Sequence, residues 1–363
     1  MDSIIKSSVK EPFDPSTLKA EVKNATIGQL VEMLRNDLID MNPDFQRHSN
    51  LWTNSKKSQL IESILLGLPL PSFYFYNDSS KEKWVVIDGL QRLCALKSFM
   101  VDGNLKLKDL EFLDSKKYGI HYEDFSYYDK LAISMHPVTL NVLSGSASAE
   151  ARYIIFQRVN SKGTQLNPIE IRNALYQGAA TQLISRLVEN DLFKRMVATK
   201  ISTERMKDRE FVSRFLTFYL NDYNRYIGYK KLDIFISKAM DDINKQFEGD
   251  KCDIIVDAFN RSLSTCMELL GDDAFRKPSL DKKRKNQLSL AIFEMLTVTI
   301  AHLDYNIHEE LISRKELFGT LYRKLFKDPN LQKFLSDGTG KPRAIKYRFQ
   351  SIENVINQTL SNQ

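Results

Sequence analysis

The chain has little of what usually announces a chemical class. Its three cysteines, Cys94, Cys252 and Cys266, are odd in number and far apart. That excludes a disulfide framework and any thiolate metal spacing, and it predicts reduced thiols in a cytoplasmic setting. The five histidines (His48, His121, His136, His302, His308) show no zinc or metallonuclease spacing. His302 lies among apolar residues of a helical stretch and is expected to be packed. No Gly-Lys-Ser/Thr loop occurs, which argues against a P-loop nucleoside triphosphatase. No run approaches about 18 uninterrupted apolar residues, so no membrane span is predicted. Met1 to Pro15 is polar and charged, which predicts no signal peptide. No period of roughly 20–50 residues suggests a solenoid.

What is present is an ordinary globular composition over 363 residues, long enough for two domains, with a net charge of +6. That mild basicity permits contact with phosphate without requiring it. Residues 1–24 are polar, contain Pro12 and Pro15, and read as a loose leader or a short edge segment. Residues 25–180 alternate short strands and helices. Thr26 and Gln29 form a capping-box signature ahead of an apolar helical face. An amphipathic helix follows from about Thr53 to Leu66, with Leu60, Ile61, Ile64 and Leu65 inward and Gly67 closing it. Phe73 to Tyr76 and Trp84 to Ile87 read as a hairpin, and Val138 to Leu143 as a further strand. Asn167, Pro168 and Glu170 specify another helix start. Residues 181–363 carry helical spacing almost throughout. The expected segments are Leu183 to Met196, Asp208 to Asp222, Leu232 to Phe247, Ile254 to Leu270, Gln287 to Leu303, Leu311 to Phe326 and Ala344 to Leu360. The expected class is α+β: a small mixed sheet with helices, followed by an α-helical bundle.

Four polar constellations stand out. In Asp88-Gly89-Leu90-Gln91-Arg92 an apolar strand ends and a helix begins at once. Asp88 at the N-cap with Gln91 three residues later reads as a capping box. That leaves Arg92 unexplained, because a cation in the first turn opposes the helix dipole. An anion at the helix start would explain it. The segment Asn42-Pro43-Asp44-Phe45-Gln46-Arg47 precedes Trp52 and Lys56-Lys57. There Arg47 is either a phosphate ligand or part of a solvated loop. In Phe156-Gln157-Arg158-Val159-Asn160 and the helix after it, caps account for Asn167 and Glu170 but not for Arg158, Asn160 or Arg172. The basic run Lys282, Lys283, Arg284 and Lys285 is either a solvated loop or a nucleic-acid contact. The same choice applies to Arg343 and Lys346, with Arg348 sharing part of their helical face.

Taken in order, these blocks resemble the DUF262 family, the N-terminal part of GmrSD-type modification-dependent restriction systems. The resemblance rests on Pro43, Phe45-Gln46-Arg47, Trp52, the helix ending at Gly67 with Pro69 and Pro71, and Asp88-Gly89-Leu90-Gln91-Arg92. The family's signature is Asp-Gly-Gln-Gln-Arg, and Leu90 replaces its first Gln. Phe156, Arg158, Asn160, Gly163, Leu166, Glu170 and Arg172 fit the second block, and Arg205, Asp208 and Arg214 loosely fit the third. The resemblance implies a ParB/sulfiredoxin-like core over residues 25–180 that binds and hydrolyses a nucleoside triphosphate in defence against foreign DNA. Asp88, Gln91 and Arg92 would be catalytic, with Asp88 holding Mg²⁺. Arg47, Gly89, Arg158, Asn160 and Arg172 would complete the phosphate pocket. The HNH-type domain (DUF1524) that many relatives carry has no His-led counterpart after residue 180. The expected partners are therefore DNA and a separate nuclease. The alternative is a non-catalytic module that uses the same pocket as a switch while it binds DNA or a partner.

Overall fold

The computed structural model describes residues 18–41, 52–77, 83–113, 119–145, 149–159, 166–228, 231–247, 250–278 and 287–361. They fall into two compact units, one within Glu11–Leu175 and one within Tyr176–Gln363. The first is built on a five-stranded mixed sheet, the second on helices. This is the α+β arrangement that the patterning predicts.

In the first unit the strands are β1 (Leu18–Thr26), β2 (Ile39–Asp40), β3 (Phe73–Asn77), β4 (Trp84–Asp88) and β5 (Pro137–Gly145). Their spatial order is β1-β5-β3-β4-β2. β3 and β4 form the expected antiparallel hairpin, while β3 runs parallel to β5 and β2 parallel to β4. β1 is a nine-residue edge strand paired along its whole length with β5. Of the stretch expected to be a leader or a short edge, residues 18–24 belong to this strand, and residues 1–17 lie outside the described residues. Val22 is 66% exposed, so β1 buries no alternating face and emits no period-two signal.

Six α-helices are described in this unit: α1 (Ile27–Arg35), α2 (Asn54–Leu65), α3 (Leu90–Leu96), α4 (Tyr127–Met135), α5 (Ala149–Val159) and α6 (Pro168–Leu175). α1 has the predicted capping box: Gln29 N–H donates to Thr26 Oγ1 at 3.3 Å, and Thr26 N–H to Gln29 Oε1 at 3.0 Å. α6 has its own. Asn167 Oδ1 accepts from Glu170 N–H at 2.9 Å, and Asn167 N–H donates to Glu170 Oε2 at 2.7 Å. The core joins Ile27, Leu30 and Val31 of α1 with Leu60, Ile61 and Ile64 of α2, Phe73 and Phe75 of β3, and Leu93 and Leu96 of α3. Each such side chain contributes about 1.5–3 kcal/mol by leaving water.

The second unit contains α7 (Ala179–Val188), α8 (Asp191–Met196), α9 (Lys207–Leu220), α10 (Leu232–Gln246), α11 (Asp250–Leu270), α12 (Leu290–Ala301), α13 (Tyr305–Ser313), α14 (Lys315–Leu325), α15 (Pro329–Ser336) and α16 (Pro342–Ser361). Two expected helices are broken. The Leu183 to Met196 segment is interrupted because Asn190 caps a new start, its Oδ1 accepting from Phe193 N–H at 2.8 Å. The helix expected from Leu311 to Phe326 is two, α13 and α14, divided at Arg314, which has φ −103° and ψ 23°. α15 was not anticipated; Asp328 and Pro329 supply its cap and first residue. His302 is packed as expected, stacked on Tyr219 with centroids 4.8 Å apart.

A buried charge network organises this unit. Glu294 of α12 is fully buried and accepts from Arg214 of α9 at 2.9 Å and from Arg348 of α16 at 2.7 Å. Arg348 also donates to the carbonyls of Phe334 and Thr339. It therefore does not share an outer face with Arg343 and Lys346. Burial opposes the charge of Arg214, yet Glu294 and Glu210 outweigh it and raise its pKa. Removing the shared carboxylate leaves two guanidinium groups facing each other away from water. Glu294→Ala is expected to destabilise the protein by about 3–5 kcal/mol in urea denaturation. A loss below about 1 kcal/mol would show that the network does not hold the unit together.

Candidate functional site

β4 ends at Asp88 and α3 begins at Leu90, so one residue turns the chain. That residue, Gly89, has φ of +102° and serves as the N-cap. A Cβ there would stand 2.5 Å from Phe73 Cδ1. Both the left-handed backbone and the close approach of β3 therefore require glycine. No side chain among the described residues caps α3. The expected Asp88–Gln91 capping box is thus absent. Gln91 turns instead to the start of α2, where its Oε1 accepts from Trp52 N–H at 3.2 Å. Asp88 interacts with the Gly89 N–H and with Arg92.

Arg92 lies beneath this turn with its side chain 9% exposed. Its Cζ sits 4.3 Å from the centre of the Phe73 ring. Nη1 donates to the Pro71 carbonyl, Nη2 donates to the Ser72 carbonyl at 3.2 Å, and Nη2 is 3.5 Å from Asp88 Oδ2. The cation that opposes the helix dipole is therefore held by two carbonyls, a carboxylate and an aromatic face. It locks the Pro69–Pro71 connector to the turn. Burial pulls the Arg92 pKa down, partly opposed by Asp88. Burial pushes the Asp88 carboxyl up, opposed by Arg92 and by the Gly89 N–H.

The remaining site residues are less evenly placed. α5 and α6 both pack against β4 and so bring the second block to the strand that ends at Asp88. Arg158, in the last turn of α5, is exposed, whereas Arg172 of α6 is 1% exposed. Arg47, Asn160 and Lys282, Lys283, Arg284 and Lys285 lie outside the described residues. Arg214 of the third block belongs to the Glu294 network of the helical unit, and Arg205 adopts φ of +57° just before α9. Of the clefts in the described residues, one of about 460 Å³ is lined by Thr26, Gln29, Arg35, Tyr122 and Ser134. Another, of about 410 Å³, is lined by Arg214, Lys277 and Ser289. Neither includes Asp88, Gln91 or Arg92. No group of three or more His, Cys, Asp or Glu side chains among the described residues is arranged to hold a metal ion.

Residues 27–177 match the model of the GmrSD restriction endonuclease, N-terminal domain. This stretch is a GmrSD-type N-terminal domain by that match. The match runs from α1 to the end of α6 and encloses the Asp88–Arg92 turn. No curated protein and no solved structure matches the chain. Among the described residues, no helix is long and apolar enough to cross a membrane.

Sequence reasoning missed two buried charges of the GmrSD-type domain, both on α2. Glu62 is 3% exposed and accepts the backbone N–H groups of Glu111, Phe112 and Leu113 at 2.7–2.9 Å. Lys57 is 5% exposed. The available signal was spacing, since Lys57 stands four residues before Ile61 and seven before Ile64, on the inward face.

Asp88 yields a test by pH. Its pKa is raised on folding, so the protonated form favours the folded state. That contribution is complete below the ordinary carboxylate pKa near ~3.9 and is lost as pH rises through the raised value. Asp88→Asn keeps a neutral side chain at every pH. The variant is expected to gain stability relative to the parent at neutral pH, with the difference shrinking toward about pH 3. Urea denaturation across that range measures it, and a difference independent of pH would contradict the assignment.

Proposed function

We propose that the GmrSD-type domain binds a nucleoside triphosphate and hydrolyses it with Mg²⁺, as part of a restriction or anti-phage defence system. The observation that carries this reading is the start of α3. It is held by Gly89 against Phe73, lacks a side-chain cap among the described residues, and has a partly exposed carboxylate beside it. Backbone N–H groups of a first helical turn attract phosphate oxygens. In this reading the first turn receives the phosphates. Asp88 binds Mg²⁺ or orients the attacking water, and Gln91 fixes the approach of the Trp52 segment. Arg92 acts as a positioning residue that holds the turn in place. Arg47, Arg158 and Asn160 supply the outer wall of the pocket, while Arg172 is buried in α6. Phosphoryl transfer depends on this kind of placement and charge stabilisation more than on covalent chemistry.

Turnover of ATP, GTP, CTP and UTP by the full chain with Mg²⁺ tests the reading. Asp88→Ala is expected to lower turnover by roughly a hundredfold or more while the protein stays folded. Unchanged turnover, or no triphosphate bound by the parent protein, would remove the assignment.

A second reading concerns the helical unit, and one observation favours it. Residues 315–348 hold nine lysines and arginines against three acids, a surplus equal to the whole chain's net charge of +6. Arg323, Lys324, Lys327, Lys333, Lys341 and Arg343 are all exposed, and none pairs with a carboxylate among the described residues. Contacts across α14, α15 and α16 draw several of them together. Tyr347 Oη donates to Asp328 Oδ2 at 2.6 Å, the Phe334 and Tyr347 rings meet at a tilt with centroids 5.3 Å apart, and Arg343 lies over Phe334. Lys327 and Lys333 flank the first two contacts in sequence. Such a face would follow a nucleic-acid backbone irrespective of base sequence. Replacing Lys327, Lys333 and Arg343 with Gln is expected to weaken duplex DNA binding equally across sequences. It should also lower the salt slope by roughly 0.9 per lost phosphate contact. Binding with an unchanged slope would assign the face to solvent alone.

A further inference from the structure

The two edges of the described sheet are built differently. β2 is two residues long, too short to template another strand. β1 is nine residues long, contains no proline, and pairs with β5 without a register shift. Sheet edges are commonly blunted by shortness, proline, a bulge or repelling charge. β1 lacks the first three, and its charges alternate in sign through Lys19, Glu21 and Lys23. The pairing with β5 decides which of its backbone groups face outward. Ile27 N–H donates to the His136 carbonyl at 3.0 Å, in line with a register that sets Thr26 opposite Pro137 and Ala25 opposite Val138. Antiparallel pairs alternate between hydrogen-bonded and non-hydrogen-bonded. Pro137 has no N–H to give Thr26, and the Thr26 N–H turns to Gln29 Oε1 at 3.0 Å. By that alternation Ala25, Lys23 and Glu21 bond to β5. Asn24, Val22 and Ala20 present their N–H and C=O groups at the open edge, where no other described strand pairs. The side chains of these three are exposed.

A second copy of this edge fits it about a two-fold axis at Val22. Val22 then exchanges both backbone bonds with Val22 of the second copy, and Ala20 does so with its Asn24. The intervening non-hydrogen-bonded pairs bring side chains closest together. There Glu21 faces Lys23 of the second copy, twice by symmetry, and opposite charges at such a pair are favourable. Glu21 and Lys23 already share one face of β1, 3.3 Å apart with side chains 64% and 41% exposed, and Lys23 lies over the Trp84 ring. A slip of two residues in either direction would set Glu21 opposite itself or Lys23 opposite itself, so the charges select this register. We infer that β1 is a dimerisation edge, through which two copies of the chain join their sheets into one.

Sedimentation equilibrium of the full chain over a range of concentrations tests this. One strand pair is a small interface, so a dimer with a dissociation constant on the order of 10–100 μM is expected. Glu21→Lys places like charges opposite each other at both symmetric pairs and is expected to weaken the dimer roughly tenfold, as is Lys23→Glu. The double variant Glu21→Lys/Lys23→Glu restores opposite charges and should recover the parent affinity. Val22→Pro removes an N–H that faces away from β5, a position where a sheet tolerates proline. It should weaken the dimer at least tenfold with the melting temperature near that of the parent. Should Val22→Pro fail to fold, the charge series decides alone, since it alters only side chains that reach solvent. A parent that stays monomeric at every concentration, as when another segment of the same chain occupies the edge, would overturn the inference. So would a dimer indifferent to both single charge reversals, or one that the double reversal does not restore.

Discussion

The GmrSD-type domain depends on one buried guanidinium. Arg92 rests on the Phe73 ring, donates to the carbonyls of Pro71 and Ser72, and neighbours Asp88. Through these contacts a single side chain joins the entry of the central strand β3, the end of β4 and the start of α3. Gly89 completes the constraint from the backbone, because only a residue without Cβ can pass so close to Phe73 with positive φ. The turn is thus specified by packing on one side and charge on the other. A lysine could not reproduce the arrangement, since its ammonium lacks the planar fork and the flat face that stacks on Phe73.

The helical unit uses arginine in the same way but with a different outcome. Glu294 collects Arg214 and Arg348 in the interior. These charges pair with one another within the fold. Arg323, Lys324, Lys327, Lys333, Lys341 and Arg343 are the reverse case, exposed and without carboxylate partners among the described residues. Position in the sequence does not separate the two classes. Arg343, Lys346 and Arg348 lie within six residues of one helix, yet Arg348 is fully buried and Arg343 is exposed. The helical period turns Arg348 toward Glu294 and leaves Arg343 at the surface.

How far the sequence could be read depended on whether a signal was local. The caps at Thr26–Gln29 and Asn167–Glu170 were legible because a capping box involves only residues three apart. The same spacing at Asp88–Gln91 misled. There Gly89 takes the N-cap position, and Gln91 finds a better partner in Trp52, thirty-nine positions away. The hairpin and β5 were legible from β-branched and aromatic runs, whereas β1 was hidden by its polar, exposed faces. The partners of Arg92 could not be foreseen, since the Pro71 and Ser72 carbonyls meet it only after β3 pairs with β4. The spacing of Lys57 placed it on the inward face of α2, but charge argued for the outside, and nothing local decides between them.

These contacts change what the Asp-Gly-Leu-Gln-Arg stretch implies chemically. In the sequence, its arginine reads as the group that meets phosphate. In the fold, that arginine stabilises the turn, and Asp88 beside it is a carboxylate whose ionisation burial disfavours. A phosphate arriving at the first turn of α3 would meet N–H groups and a carboxylate, a combination that favours a metal-bound phosphate over a bare one. It would also need cations from other elements. In the proposed reading these come from Arg47 ahead of α2 and Arg158 at the end of α5. A site assembled in this way is electrostatically complete only when α2 and α5 are both seated against the β4–α3 turn. Nucleotide affinity would then report on how these elements are packed, and binding could bias their arrangement in return.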